Sequence, residues 1–134
     1  MSVNSDSFML VAKHDLALGQ EIGYRMAVGR SYYAVFHKLL ESFNQYQFDH
    51  SSSGTHSDVY DYLLNGAGAS YENKEQKQFK IIAYQFMQAK QKRVHADYNL
   101  ALDYKKETAE MELRQAEKLI RKIEEVFAEK KMSA

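Results

Sequence analysis

Two arginines in this 134-residue chain stand where they could hold an anion, and each has a partner able to steer it. Arg30 and His37 lie seven positions apart, almost two turns of a helix, so they point the same way and form with Ala34 and Glu41 a polar strip beside an apolar one. Such a strip can be a dimer seam, a hydrogen-bond network at the edge of a bundle, or half of an active site in which the arginine holds an anion and the imidazole moves a proton. Arg93 and Asp97 are spaced i, i+4 and can pair on one helix face. That face is otherwise apolar, so the pair is either a clamp between helices or a phosphate-facing cation steadied by its carboxylate. His95 falls on the flank of the same helix, beside Tyr84, Gln88 and Gln91.

Around these residues the charge is uneven. Formal net charge is zero, but residues 1–70 are acidic on balance and residues 71–134 basic. Within 73–93, Lys74, Lys77, Lys80, Lys90, Lys92 and Arg93 are opposed only by Glu75. A solvated helix face explains this surplus most simply; an anionic partner met through Lys90 and Lys92 is the alternative. His50 and His56, with Asp49 and Asp58, match no metal-ligand spacing, so neither metal nor cofactor is assigned. The chain has no cysteine, which excludes disulfides, thiolate metal sites and cysteine nucleophiles and argues against an extracellular setting. Glycine-rich phosphate loops, Gly-x-Ser-x-Gly elbows and His-Glu-x-x-His are absent. Near the start, the longest apolar run, "FMLVA" at 8–12, is too short to span a membrane, and a cytoplasmic location is expected.

The elements that must carry these residues are helical. There is no proline and there are only 6 glycines, so little interrupts a helix. The periodicity predicts a first helix over 6–18 with Phe8, Ala12 and Leu16 inward, capped by Asp6 and its serine neighbours. A second over 21–44 carries the stripe Ile22, Met26, Gly29, Tyr33, Phe36, Leu40 and Phe43. Residues 49–55 read as a loop. A short helix follows from Thr55 with Val59, Tyr60 and Leu63 for burial, and residues 65–71 read as a second loop. A long helix over 73–98 carries Phe79, Ile82, Ala83 and Phe86, and the same stripe continues into Lys90, Arg93 and Asp97. The last, over 103–130, points Ala109, Leu113, Ala116, Ile120, Ile123 and Phe127 inward. The expectation is an all-α fold, a four- to five-helix up-and-down bundle in one domain over 1–134.

Three blocks, "RSYYAVFHKLL" (30–40), "THSDVYDYL" (55–63) and "RVHADYN" (93–99), followed by a charged last helix, resemble the HEPN superfamily. The closest likeness is to its small stand-alone proteins with Tyr-Tyr-Ala-x-Phe-His and Arg-x-x-Ala-Asp-Tyr blocks, and it covers roughly residues 13–127. The resemblance implies a helical bundle, often a homodimer, tied to RNA in toxin–antitoxin and defence systems, with a nucleotidyltransferase or antitoxin as partner. Active members are metal-independent endoribonucleases, in which an arginine holds the scissile phosphate and a histidine four to six residues later handles the proton of the attacking 2′-hydroxyl.

This sequence departs from that pattern. Arg93 is followed by His95 after only two positions, a divergence of about 200° around a helix, so the two converge on one phosphate only if the helix ends between them. Arg30 and His37 have the spacing but sit in another block. One reading is therefore a dimeric, catalytically silent binding or regulatory module in which Arg93 and Asp97 form an internal clamp and loss of Arg93 strands Asp97. The other is an endoribonuclease using Arg93 with His95 or His37.

Overall fold

The computed structural model describes residues 3–44 and 55–129, so the loop read at 49–55, with Asp49 and His50, lies outside the described residues in all but Thr55. Six helices follow in order: α1 (Ser5–Ala17), α2 (Glu21–Ser42), α3 (Thr55–Leu64), α4 (Ala67–Glu72), α5 (Gln76–Tyr98) and α6 (Lys106–Ala128). Among the described residues helix accounts for 83% and strands for none, so the fold is an all-α bundle.

The helix ends follow local chemistry. α1 opens with a capping box two residues earlier than the Asp6 cap expected from sequence: the Ser7 amide donates to Asn4 Oδ1 at 3.1 Å, and Ser7 Oγ accepts from the Asn4 amide at 3.2 Å. Asp6 instead sits in the first turn, where its charge meets the positive end of the helix dipole. The sixth helix, α4, forms inside the segment read as a loop. It is six residues long and is held from outside: the buried Glu72 carboxylate accepts from the Tyr62 hydroxyl and from the Asn44 amide, both at 2.8 Å. No periodicity could announce a helix that consists of little more than one turn.

α2 is the axis of the bundle, packed by α1, α5 and α6. The stripe expected on it is partly displaced. Ile22 is 62% exposed and Met26 38%, whereas Ala27, Val28, Tyr32, Val35 and Leu39 are buried. Of the tyrosine doublet, Tyr32 is the interior member and Tyr33 is half-buried. The reason is that a central helix is covered on several sides, so small residues such as Ala27, Gly29 and Ala34 mark the close contacts while large residues at its exposed first turn do not. On α5 the expected residues Phe79, Ile82, Ala83 and Phe86 are all buried. On α6, Ala109, Leu113, Ala116 and Ile123 are buried as expected, joined by Leu119 and Val126, with Ile120 and Phe127 at the edge of the core.

The connection from α5 to α6 is pinned by a residue the periodicity passes over. Arg25 is 4% exposed. Its Nη1 donates to the carbonyl of Ala96 at 2.9 Å and its Nη2 to that of Leu102, while Glu21 sits 3.4 Å from its Nε and takes the Tyr104 amide at 2.9 Å. The guanidinium also lies 5.2 Å from the Tyr104 ring centroid. α2 thereby fixes where α5 stops and how the chain turns into α6.

Candidate functional site

The polar strip Arg30, Ala34, His37 and Glu41 is occupied by α1. Ala34 is fully buried, Phe8 stacks on the His37 ring at 4.6 Å and 9°, and Glu41 accepts from the amide and hydroxyl of Ser5 at 2.8 and 3.0 Å. The docking helix that the small Ala34 invites is thus the chain's own. Arg30 is half-buried on α2.

Arg93 and Asp97 do meet, Nε to Oδ2 at 3.0 Å, with side chains 22% and 29% exposed. The contact is a charge pair without an aligned hydrogen bond, since Arg93 Nε is shielded from solvent yet its N–H has no hydrogen-bonded acceptor. Asp97 lies against α2 at its thinnest point: a β-carbon on Gly29 would sit 3.7 Å from Asp97 Oδ1. The Arg93 guanidinium stands 5.4 Å from the centroid of the Tyr33 ring. Carboxylate on one side and aromatic face on the other hold this cation between α5 and α2.

α5 is continuous through Tyr98, so nothing breaks the helix between Arg93 and His95. His95 is exposed on another side, with its ring 6.3 Å from that of Tyr104 and Nδ1 3.4 Å from Asn99 Nδ2. The two lysines assigned to an anionic partner also separate: Lys90 turns toward α3, where its charge acts on His56, and Lys92 lines the opposite, α6 side of the helix.

What Arg93 does approach is a cluster that the spacing of residues does not reveal. His56, at the start of α3, stacks on Phe36 with centroids 4.0 Å apart and planes within 6°, and its Nδ1 is hydrogen-bonded to the Tyr32 hydroxyl. Tyr32 in turn stacks on Phe86 at 5.5 Å. Burial, and then the charges of Lys90, Arg93 and His37, hold the His56 imidazole below its ordinary value near 6.5. Burial also lifts the Tyr32 phenol far above the usual tyrosine range, with Arg93 opposing the rise and Tyr33 adding to it. A protonated phenol both donates and accepts, so a neutral His56 ring pairs with it in either tautomer.

The signal for this cluster was present in the "THSDVYDYL" block, but only the fold tells which partner His56 meets: Tyr32 is twenty-four residues away. Among the described residues no group of three or more histidine, aspartate or glutamate side chains is placed to hold a metal ion. No helix among them is long and apolar enough to cross a membrane. Compared with known proteins, the chain matches no family model, no curated protein and no solved structure.

Proposed function

We propose that the chain is a HEPN-like helical module that acts as a homodimeric binding or regulatory subunit in an RNA-linked toxin–antitoxin or defence setting, without cleaving RNA itself. The family and the setting rest on the three sequence blocks. The absence of cleavage rests on one observation: the Arg93 guanidinium is engaged by Asp97 and the Tyr33 face, while His95 stands on a different side of an unbroken helix. An arginine so held is a positioned structural cation.

A second reading is favoured by the electrostatic neighbourhood of His56, which includes Lys90, Arg93 and His37. In it, Arg93 and Lys90 bind the scissile phosphate while the neutral His56 ring takes the proton of the attacking 2′-hydroxyl and returns it to the leaving 5′-oxygen, closing a 2′,3′-cyclic phosphate without a metal. Purified protein incubated with a mixed-sequence RNA separates the two. The first reading expects no more 2′,3′-cyclic phosphate ends than a buffer control produces. Cleavage that disappears in both Arg93→Ala and His56→Ala would establish the second.

A further inference from the structure

Where α5 and α6 face each other they leave a trough of about 660 Å³ whose floor is formed by α2. Its walls run from Ile81 to Lys92 on α5 and from Met111 to Lys122 on α6. At about 1.5 Å of rise per residue each wall is roughly 16 Å long. About five residues of extended chain at roughly 3.3 Å each fill that length.

The wall chemistry is equally specific. Gln85, Gln88 and Gln115 line the trough and are solvent-exposed, and each amide offers donors and acceptors that match a peptide unit. Lys92, Lys118 and Lys122 stand over a single acid, Glu112. Among the described residues none of these three lysines is in an ion pair; Lys122 donates to Gln78 Oε1, which closes one end. Ala89 and Ala116 let a backbone settle close to the walls.

We propose that this trough binds an extended acidic segment, about five residues long, of a partner protein. The inference rests on the reading of the chain as a binding or regulatory module and names the partner's chemistry. Single-stranded RNA fits less well: it depends on open aromatic faces for stacking, and the one ring lining the trough, Tyr32, is 1% exposed and committed to Phe86 and His56.

The test uses the full ¹⁵N-labelled chain and three probes: acetyl-Asp-Leu-Glu-Asp-Leu-Glu-amide, the same peptide with lysine at every acidic position, and hexauridylate. The expected result is that the acidic peptide alone moves the side-chain amide signals of Gln85, Gln88 and Gln115. Lys92→Glu combined with Lys118→Glu, both at exposed positions, is expected to weaken that binding about tenfold, or ~1.4 kcal/mol. The proposal is overturned if millimolar acidic peptide leaves the amides unmoved, if the lysine peptide moves them equally, or if the double variant binds as before. Hexauridylate moving them in place of the peptide would make the trough an RNA surface, retiring this proposal while leaving the regulatory reading intact. RNA cleavage by the wild-type chain with peptide binding retained would do the reverse.

Discussion

The Arg25 guanidinium donates to the backbone carbonyl of Ala96, seventy-one residues along the chain, and so ties the middle helix to the end of α5. With Leu102 and Tyr104 drawn to the same Arg25–Glu21 pair, a single buried cation organises a turn that contains no regular structure of its own. Replacing Arg25 with alanine removes three charged hydrogen bonds, one to Glu21 and two to carbonyls that are left short of a donor in a confined space. The expected cost is about 3 kcal/mol, read as a fall in the urea midpoint at unchanged slope. Arg25→Lys recovers little, because an ammonium cannot span two diverging carbonyls as a guanidinium fork does. A midpoint within error of wild type would remove Arg25 from this role.

Arg93 is expected to matter less to stability. Its pairing with Asp97 looked from the sequence like the internal clamp, and a lost Arg93 like a stranded buried carboxylate. The two side chains are in fact 22% and 29% exposed, so water can reach the carboxylate left behind. Arg93→Ala should therefore cost only about 1 kcal/mol. Comparing its melting temperature with that of Arg25→Ala orders the two cations; a larger loss at Arg93 would contradict this ranking.

The contrast shows what the residue pattern could and could not carry. On α5 the i, i+3, i+4 spacing located Phe79, Ile82, Ala83 and Phe86 and, beyond them, the polar end at Arg93 and Asp97, because that helix is buried along one continuous side. On α2 the same rule misplaced Ile22 and Met26, since a helix packed from several directions has no single stripe to follow. Arg25 escaped notice because its partners are backbone carbonyls, which every residue possesses. His56 could be seen only as a histidine in a turn-rich stretch, since its partners Tyr32, Phe36 and Arg93 belong to α2 and α5.

His56 gives the fold an acid sensitivity of definite sign. In the unfolded chain its imidazole takes up a proton near pH 6.5, while in the fold burial and the charges of Lys90, Arg93 and His37 hold its pKa lower. Between those two values the unfolded state binds more proton, so stability is full above about pH 6.5 and declines as pH falls toward the folded pKa. Urea midpoints at pH 7.5 and 5.5 should differ more for wild type than for His56→Gln, which cannot be protonated. Equal acid losses in the two proteins would mean that His56 does not contribute.

The turn between α3 and α4 depends on a missing side chain. A β-carbon on Gly68 would lie 2.0 Å from the carbonyl oxygen of Tyr62 and 2.9 Å from its carbon, so even alanine forces the two backbones apart. That separation pulls on Glu72, whose carboxylate reaches back to Tyr62 and across to Asn44 at the end of α2. Gly68→Ala should destabilise by roughly 2 kcal/mol despite the better helix propensity of alanine, because overpacking against rigid backbone outweighs the ~1 kcal/mol that the exchange contributes in an open helix. Ser70→Ala, at an exposed position of the same short helix, is the matched control and should be neutral. A Gly68→Ala protein that melts at or above the wild-type temperature would show that α4 can slide away from Tyr62 without loss, and that Glu72 does not fix its place.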